Sequence, residues 1–547
     1  AFGTIQSAIN GVADGGTIHV NAGTYTEVAS ALSKEFDLIG ETAPDGSPLP
    51  LIVGQIAIDH PGSDTGWRIE NLRFRAGTAA SLLSLKNVNR AAVANCVFDG
   101  AGRFADASVV NGLAFETATN GNTFPTVTDC VFSNGLYTAI TGIANDLTVK
   151  DCLIDNVKSG MNMRGNRLAV LDSEIAVKAV TATDTYGIRY GTSDANSANG
   201  LNVQGCVISV NQNGFEPEAG EYHCAIYLRA GAIGVQKVSN CSLAGDIVNL
   251  STSPVTLDAS GNWWGSAVPA DVAGHALAGS VDYSPWLADG TDTDGGALGF
   301  KGDFSALWVA DTGAHAGTET RMQEAVNLAA SGGTVNVLAG TYPGAFTVAK
   351  PVTVLGPNAT ISPNTGERVA EAVLQGTTAS GLSESVALDA TGVVLIGLTF
   401  DNLRIDNYNS NAHELSTDHV IAFNRFVNVL GTAVYLRDGR DAPGQYSAGV
   451  VVQDNRIESP AAAGTVDYNA GSGIIVYGAE APSIKDNVIL SAAYNGIQLA
   501  RCNGLVLQNN TATGCAQPAL QVAQWNDGVM QISSNTFSTV STTKAAV

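Results

Sequence analysis

The sequence predicts an all-β fold made of two tandem right-handed parallel β-helices (β-solenoids), each opened by a short N-terminal capping helix. Three observations predict it: a six-residue frame that recurs at intervals of 21 to 35 residues, a second alternating frame between its copies, and an internal duplication. Both frames alternate apolar and polar residues, which indicates short strands. Gly, Asn and Asp bound these strands and supply turns, so a stack of repeating coils is expected.

The six-residue frame reads apolar, any residue, Asn/Asp/Gly, small residue, any residue, apolar, as in "VANCVF" and "IKDNVI". Stacked coils lie about 4.8 Å apart, so equivalent residues form ladders. The sequence therefore predicts a ladder of buried, free thiols in the first half and of side-chain amides in the second. Cys502 and Cys515 are the best-placed pair for a disulfide, although free thiols are favoured there too. The fourth position is filled by Cys96, Cys130, Cys152, Ser173, Cys206, Cys241 and Asn262, then by Leu398, Asn424, Asn455, Asn487, Asn510 and Asn535.

The domain boundaries follow from the duplicated segment. "IQSAINGVADGGTIHVNAGTY" near the start returns as "MQEAVNLAASGGTVNVLAGTY", and each copy begins with a short amphipathic helix. We predict a first β-helix over 1–288, closed by a tryptophan-rich cap, a linker over 289–316, and a second β-helix over 317–547. The second half has no counterpart of the "NWWG" cap, so its C-terminal end is predicted to be uncapped.

The composition supports a large core and limits the classes of partner. Hydrophobic residues make up 45% of the 547 residues and charged residues only 14%. The 27 Lys and Arg against 50 Asp and Glu give a net charge of −23, which disfavours nucleic acid and anionic membranes. No apolar run of about 18 residues occurs, so no membrane span is predicted.

The duplicated segment, "NWWGS…VDYSPWL" and "GFKGDFSALWV" resemble the pectin-lyase-like right-handed β-helix modules of large bacterial secreted and surface proteins. The resemblance covers nearly the whole chain and implies tandem modules at an extracellular or bacterial cell-surface location. The wider superfamily contains pectate lyases, polygalacturonases, epimerases and tailspikes alongside adhesins and surface-layer proteins. Elements similar to the catalytic sets of those enzymes are not found in this sequence.

A candidate glycan-binding surface lies in the first half. Aligning "MNMR", "IRYG" and "IYLR" places Asn162, Arg189 and Tyr227 in one column. A carboxylate beside Arg and Tyr is an arrangement that can bind a sugar or act as a general acid or base. The alternative is a solvated face on which Arg and Glu pair off. A second column holds Arg164 and Arg229, and the insertion "NQNGFEPEAGEYHC" brings Glu216, Glu218, Glu221 and His223 near.

Two further candidate sites are weaker. "VYLRDGRDAPGQY" repeats Tyr227 and Arg229 as Tyr435 and Arg437, through duplicated binding or through common descent. "DGTDTDGG" has the Asp-x-Asp-Gly character of a calcium loop, without the glutamate that completes an EF-hand. No cofactor is required by the sequence, and Ca²⁺ is the one candidate metal, with a flexible linker as the alternative; its ligands would be Asp289, Asp292 and Asp294.

The sequence favours a structural or adhesive protein over an enzyme. The duplication, the low charge and the uncapped end fit a subunit of a head-to-tail fibre or a cell-surface layer, which self-associates or adjoins neighbouring domains of a longer chain. The alternatives are a polysaccharide-active enzyme, that is a lyase, hydrolase or epimerase on an acidic glycan, and a non-catalytic glycan-binding module.

Overall fold

The computed structural model describes residues 2–60, 66–103, 109–116, 122–192, 198–252, 255–379, 381–407, 417–437, 447–461, 470–523 and 526–540. The chain divides into two compact units. The first unit comprises Ala1–Asp303 with Gly313–Ala316, and the second comprises Phe304–Thr312 with Gly317–Val547. The predicted linker 289–316 is thus divided between the two units, and its residues 289–303 belong to the first.

The first unit stacks parallel strands on three faces, and strands are numbered β1 to β56 along the whole chain. Its first face is an 11-stranded sheet of β1 Gly16–Val20, β3 Phe36–Gly40, β5 Trp67–Glu70, β8 Ala91–Ala94, β11 Thr126–Thr128, β14 Thr148–Lys150, β17 Leu168–Leu171, β20 Ala198–Gln204, β23 Ala232–Ser239, β26 Leu257–Asp258 and β28 Val281–Asp282. The second face has β2 Thr24–Leu32, β4 Leu51–Asp59, β6 Arg73–Arg75, β9 Val97–Asp99, β12 Val131–Ser133, β15 Leu153–Val157, β18 Glu174–Lys178, β21 Val207–Asn211 and β24 Ser242–Ala244. The third has β7 Ser81–Lys86, β10 Asn111–Phe115, β13 Thr138–Ile143, β16 Ser159–Arg164, β19 Thr185–Tyr190, β22 His223–Leu228, β25 Asp246–Asn249 and β27 Ala276–Ala278. These two faces form one 17-stranded sheet, because the long strand β4 pairs with both β6 and β7. A further short strand, β29, comprises Trp286–Leu287.

The second unit repeats the three-faced arrangement. Its first face has β30 Ala306–Val309, β31 Thr334–Val337, β34 Thr353–Leu355, β38 Val394–Ile396, β41 Val420–Ala422, β44 Ser447–Ala448, β45 Val451–Gln453, β48 Ala479–Glu480, β49 Ser483–Lys485, β52 Asn503–Gln508 and β55 Asp527–Ser533. Its second face has β32 Gly340–Pro343, β35 Ala372–Gln375, β39 Thr399–Asp401, β42 Arg425–Val427, β46 Arg456–Glu458, β50 Val488–Leu490, β53 Thr511–Cys515 and β56 Thr536–Thr539. Its third has β33 Thr347–Val348, β36 Thr378–Ala379, β37 Leu382–Leu388, β40 Leu403–Asp406, β43 Val434–Arg437, β47 Ile474–Tyr477, β51 Ile497–Ala500 and β54 Leu520–Ala523.

The predicted parallel β-helix is confirmed, and the recurring frame is the corner that joins the first face to the second. In the first unit the ladder thiols point inward. The sulfur of Cys130 lies 3.6 Å from the carbonyl oxygen of Val93 in the preceding coil, and that of Cys152 lies 3.5 Å from Val127 O. All eight cysteines of the chain are free and buried. Burial raises the pKa of the Cys130 thiol well above its ordinary value.

In the second unit asparagine makes the same link with stronger hydrogen bonds. The Nδ2 of Asn487 donates to Val452 O in the preceding coil at 2.8 Å and to Asn510 Oδ1 in the next at 2.9 Å. Its Oδ1 accepts from the backbone N–H of Asn455 at 3.0 Å. Each amide therefore bonds to both neighbouring coils, and Asn424 and Asn535 continue the pattern along the stack.

Both units contain the capping helix that the sequence predicts, although in the second unit strand β30 precedes it. Helix α1 (Ile5–Gly11) is N-capped by Thr4, and helix α3 (Arg321–Leu328) is N-capped by Thr320. Gln6 exchanges two hydrogen bonds with the backbone of Ser30, at 2.7 and 3.0 Å. Gln323 does the same with Thr347, at 2.8 and 3.0 Å. The duplication in the sequence is thus also a duplication of cap contacts.

The first unit also carries a helix that the sequence reading missed. Helix α2 (Pro269–His275) follows the tryptophan-rich segment and buries Val272. Trp264 and Trp286 are fully buried, as a cap requires, whereas Trp263 is half-buried. In the described part of the chain, the three helices are all too short to cross a membrane.

The asparagine ladder makes a testable contribution to stability. Asn487→Ala removes four hydrogen bonds, among them the bond from the buried backbone N–H of Asn455 to Asn487 Oδ1 and the bond from Asn487 Nδ2 to Val452 O. We expect the free energy of unfolding to fall by about 2 to 4 kcal/mol, measured as a shift of the urea midpoint by circular dichroism. Thr341→Ala, at an exposed position of β32, is the matched control and should change the midpoint little. Equal midpoints for Asn487→Ala and Thr341→Ala would contradict a structural role for the ladder.

Candidate functional site

The coil stacking aligns the predicted column on the third face of the first unit. Asn162 in β16 pairs with Arg189 in β19, and Arg189 pairs with Tyr227 in β22. Gly187 allows this stacking, because a Cβ there would lie 2.5 Å from Ile208 Cγ2 and 2.7 Å from the Ala225 carbonyl oxygen. The three predicted side chains therefore come from three successive coils.

Arg189 lies between two tyrosine rings. Its guanidinium carbon is 5.2 Å from the ring centroid of Tyr186 and 5.0 Å from that of Tyr227, which gives two cation–π contacts. The two rings are 6.4 Å apart and pack with Cys224 and the half-buried Tyr222. Arg189 also forms an ion pair of 3.6 Å with Asp184, and its Nε is buried without a hydrogen-bond partner among the described residues. This assembly holds a desolvated cation against an aromatic wall.

Arg229 and Arg164 extend the positive charge beside this wall. Burial and then repulsion from Arg189 lower the pKa of Arg229, and Arg164 adds to the repulsion. Neither Arg164 nor Arg229 has a carboxylate within 4.0 Å among the residues that the structure describes. We call Arg164, Tyr186, Arg189, Tyr227 and Arg229 the tyrosine–arginine surface. Because the guanidinium groups of this surface repel one another, binding of an anion from solution would stabilise them.

A pair of carboxyl groups borders the tyrosine–arginine surface. Asp184 Oδ1 accepts from the backbone N–H of Tyr222 at 2.9 Å, and Glu221 Oε2 accepts from that of Asp184 at 3.0 Å. Burial raises the pKa of Asp184, and the hydrogen bond with Asp184 lowers that of Glu221. The two carboxyls thus differ in protonation: Asp184 keeps its proton to higher pH, and Glu221 stays ionised to lower pH. Of the predicted acids, the insertion brings Glu221 to the site, whereas Glu216 and Glu218 are exposed.

A buried lysine continues this polar region onto the preceding coils. Lys158 is 4% exposed, and its Nζ bonds to the hydroxyls of Tyr137 and Thr183 at 3.0 and 3.1 Å. The same Nζ lies 4.5 Å from the centroid of the Tyr137 ring. Sequence reasoning missed Lys158, Tyr137, Asp184 and Tyr186. All four residues lie just before or at the start of a strand of the third face. Aligning the starts of these strands in the sequence would have grouped them.

In the second unit the repeated motif has different surroundings. Arg437 lies 5.2 Å from the centroid of the Tyr435 ring on its own strand, β43, and its backbone N–H donates to Asn407 Oδ1. In the first unit the cation that contacts Tyr227 comes instead from the neighbouring coil. Residues Asp438, Arg440 and Asp441, which follow the motif, lie outside the described residues. The role of Tyr435 and Arg437 in glycan binding stays a prediction.

The predicted calcium ligands lie on the segment 289–303, which packs along the first unit. Asp289 Oδ1 accepts from the N–H of Thr291 at 2.8 Å. Asp292 Oδ1 accepts from Asp294 N and Lys301 N, both at 3.0 Å. Asp292 and Asp294 line one cavity of about 390 Å³, which Asp289 does not line. Among the described residues, these three carboxylates do not belong to a group of ligand atoms that converges within 4.8 Å. Calcium binding stays a prediction.

Comparisons with known proteins agree with the fold. Residues 386–545 match a family model described as "Right handed beta helix region", which confirms the predicted type of β-helix there. No curated protein matches the chain. Among solved structures, the chain is similar to a PL6 family alginate lyase, AlyGC, at 10% identity and a TM-score of 0.23, with 97% of this chain and 98% of that one covered. The chain is also similar to the A-module of the Azotobacter vinelandii mannuronan C-5 epimerase AlgE6, at 11% identity and a TM-score of 0.21, with 97% of this chain and 93% of that one covered. A third similar structure is the Streptococcus pneumoniae surface protein and adhesin PfbA, at 12% identity and a TM-score of 0.20, with 97% of this chain and 94% of that one covered. Similarities at these scores carry no argument about function.

The opposite pKa shifts of Asp184 and Glu221 give opposite pH dependences of stability. Because the folded-state pKa of Asp184 lies above its ordinary 3.8, its contribution is full below pH 3.8 and is lost as the pH rises through the folded-state pKa. Because the pKa of Glu221 lies below its ordinary 4.5, its contribution is full above pH 4.5 and is lost as the pH falls through the folded-state pKa.

Asp184→Asn is expected to remove the first of these two dependences, because the amide does not ionise and still accepts from Tyr222 N. Relative to the parent protein, the variant should gain stability as the pH rises from about 4 to about 7. Urea midpoints across this range measure the difference, and Asp155→Asn, at an exposed position of β15, is the matched control. A difference between Asp184→Asn and the parent that does not change with pH would rule out the raised pKa.

Proposed function

We propose that the first unit binds an acidic glycan, a polysaccharide containing uronate, at the tyrosine–arginine surface. One observation carries the proposal: Arg189 is held over the rings of Tyr186 and Tyr227, beside Arg229, which has no carboxylate within 4.0 Å among the described residues. The resemblance to bacterial surface modules supports a location outside the cell or on the cell surface. In this proposal the protein is a non-catalytic, adhesive β-helix.

The chemistry of the surface suits a uronate. A guanidinium binds a carboxylate through two parallel N–H donors, and Arg keeps its charge at every physiological pH. Burial raises the pKa of the Tyr186 and Tyr227 phenols, so both stay neutral, and their largely buried rings form the wall on which Arg189 is held. The local cluster of three arginines offsets the net charge of −23, which would otherwise repel an acidic chain.

The carboxyl pair supports a second candidate, an enzyme that acts on the same glycan. Asp184 has a raised pKa and Glu221 a lowered one, which is the division of roles that general acid–base catalysis uses. Asp184 also pairs with Arg189, so an acid and the bound carboxylate would lie side by side. In this candidate Asp184→Asn would abolish turnover while leaving binding in place.

Substitution of one arginine tests the binding proposal. Arg229→Ala should weaken binding of an oligouronate about tenfold or more, because a charge-assisted pair is lost, and the remaining affinity should fall less steeply with salt. Isothermal titration calorimetry measures both quantities, and assays for unsaturated or reducing ends in the same samples detect turnover. Arg75→Ala is the control, since Arg75 is on the second face and paired with Asp99 at 3.2 Å. Failure of the parent protein to bind any oligouronate, or equal affinities for the Arg229→Ala and Arg75→Ala variants, would refute the proposal.

A fibre or surface-layer role is supported by the last coil of the second unit. Strands β55 and β56 pair on one side only among the described residues. In β55, Val529 is 76% exposed and Ile532 is 47% exposed, and Val540, which follows β56, is 68% exposed. Exposed apolar side chains on unpaired strands are a docking template for further strands. We propose that a second copy of this chain stacks there.

Sedimentation analysis across concentration tests this assembly. The parent protein should associate with rising concentration, and Ile532→Asp should keep it monomeric by placing a charge on the docking surface. Val235→Asp, at a 77% exposed position of β23 in the first unit, is the control and should associate as the parent does. A parent protein that is monomeric at all concentrations would contradict the assembly.

A further inference from the structure

A groove lies at the start of the first unit, between helix α1 and strand β1. Its volume is about 390 Å³, and its lining includes the apolar side chains of Ile5, Ala8, Val12 and Ile18. Among the described strands, β1 pairs only with β3, so its other edge is open. An open edge beside an apolar groove is a template for a further strand. We call this place the β1 groove.

The second unit shows what fills the corresponding place in its own cap. The duplicated segment makes helix α3 the counterpart of α1, and strand β31 the counterpart of β1. There, β30 packs against α3 and lies parallel to β31. Leu307 of β30 is opposite Val335 and is fully buried. Val309 is opposite Val337 and is also fully buried. The cap of the second unit thus includes a strand that the described part of the first unit lacks.

Backbone groups of β31 and of the residue after it bind β30. The N–H of Thr334 donates to Ser305 O at 2.8 Å, and that of Leu338 donates to Val309 O at 2.9 Å. Residues of a parallel strand turn their backbone groups alternately to the two neighbouring strands, so every second residue faces β30. In the first unit, the counterparts of these residues are all exposed at the open edge: Thr17, His19 and Asn21.

A duplicated tyrosine also marks the difference between the two caps. The hydroxyl of Tyr342 lies 3.1 Å from Val309 O in β30, and the residue is 1% exposed. Its counterpart Tyr25 lines the β1 groove and is half-buried. The Tyr25 hydroxyl donates to Asn21 O at 3.1 Å, and no docked strand lies beside it among the described residues. The first unit therefore keeps the tyrosine that reaches the docked strand in the second.

We propose that the β1 groove receives a single strand of the β30 type, with alternating apolar residues, from another β-helix unit. In the register of β30 on β31, its apolar side chains would lie opposite Ile18 and Val20. Helix α1 buries Ile5 and Ile9 and so already covers the interior of the first coil, which leaves the place beside it to one strand rather than a whole coil.

A second copy of this chain is a poor donor of that strand. The described residues supply one strand of the β30 type for two such grooves. A copy that gave up its β30 would uncover the edge of its own β31 and expose Leu307 and Val309. The partner is therefore a different β-helix unit that carries a segment like "GDFSALWV".

Binding of a peptide tests the β1 groove. A fluorophore-labelled peptide of residues 302–311, GDFSALWVAD, is titrated with the full chain carrying Ile532→Asp, so that the open edge of β55 does not capture it. Fluorescence anisotropy should show saturable binding. The same peptide with Leu307→Asp and Val309→Asp should bind at least about tenfold more weakly, because two apolar side chains that dock in the groove become charged.

Three substitutions at His19 separate backbone pairing from side-chain contact. His19→Pro removes the N–H that faces the open edge, keeps the pairing of β1 with β3, and should abolish binding of the peptide. His19→Ala keeps that N–H and should bind as the parent does. In the second unit the counterpart Asn336 donates from Nδ2 to Leu307 O at 3.1 Å. His19→Asn should therefore bind about threefold more tightly, as expected for one added hydrogen bond.

Val12→Glu, which places a charge in the lining, is a second variant should His19→Pro fail to fold, and it should also abolish binding. The proposal is overturned if the peptide does not bind saturably, if the doubly substituted peptide binds as well, or if the folded His19→Pro and Val12→Glu variants bind as the parent does. Self-association of the chain without peptide that His19→Pro abolishes would assign the groove to a second copy and refute the proposed partner. Binding of oligouronate involves none of these residues, so the proposed function stands or fails separately.

Discussion

The stacking of one coil on the next depends on a buried side chain that bonds across the gap between them. Parallel strands fix the distance between coils, but their hydrogen bonds alone leave the register at each corner free to slip. A ladder residue fixes this register by bonding to both neighbouring coils. The side-chain amide of Asn455 donates to Ile421 O in the preceding coil and to Asn487 Oδ1 in the next. An amide that slipped by one residue would lose both partners in a buried place, at a cost of about 1 to 3 kcal/mol for each orphaned group.

The two units satisfy this constraint with different chemistry. Asparagine links three coils through its amide and carbonyl, whereas the sulfur of Cys206 makes longer contacts, 3.5 Å to Val170 O in the preceding coil and 3.3 Å to Gln204 O in its own. A thiol is a weak donor, so the first unit relies more on packing. Its interior supplies such packing in the stack of Phe74, Phe98 and Phe132, with centroids 5.0 and 4.5 Å apart. Both solutions give the same geometry, which explains how the halves diverged in their core while keeping their coils.

The register set at the corners also builds the tyrosine–arginine surface. Arg189 meets Tyr227 because β19 and β22 pair without a shift at that position, although a long insertion over residues 212–222 joins β21 to β22. The insertion folds back onto the preceding coil, where Glu218 N donates to Ala182 O at 2.9 Å. It thereby delivers Glu221 to Asp184 without disturbing the strands. The insertion thus contributes a side chain to the candidate site, while the pairing of the strands and the ladder stay regular.

Period and spacing were sufficient to predict the fold, the capping helices and the column of Asn162, Arg189 and Tyr227, because these depend on repetition along the chain. The carboxyl pair was not predictable, since Asp184 lies in an irregular turn whose partner is 37 residues away. Helix α2 was missed because Pro269 and the glycines around it favour a turn by composition alone. The segment 289–303 reads as a linker for the same reason, yet Phe300 N bonds to Gly205 O at 2.8 Å and its ring is buried.

Amide hydrogen exchange along the asparagine ladder tests the stacking most directly. The backbone N–H groups of Asn424, Asn455, Asn487 and Asn510 each donate to the Oδ1 of the next ladder asparagine, at 2.8 to 3.1 Å. If the ladder holds the coils in register, Asn424, Asn455 and Asn487, which lie inside the stack, exchange only through large-scale unfolding and share one slow rate. Asn510, which lies nearer the last described coil, exchanges faster. Exchange of the three inner amides at the rate of exposed turn amides would contradict the ladder as the interaction on which the fold depends.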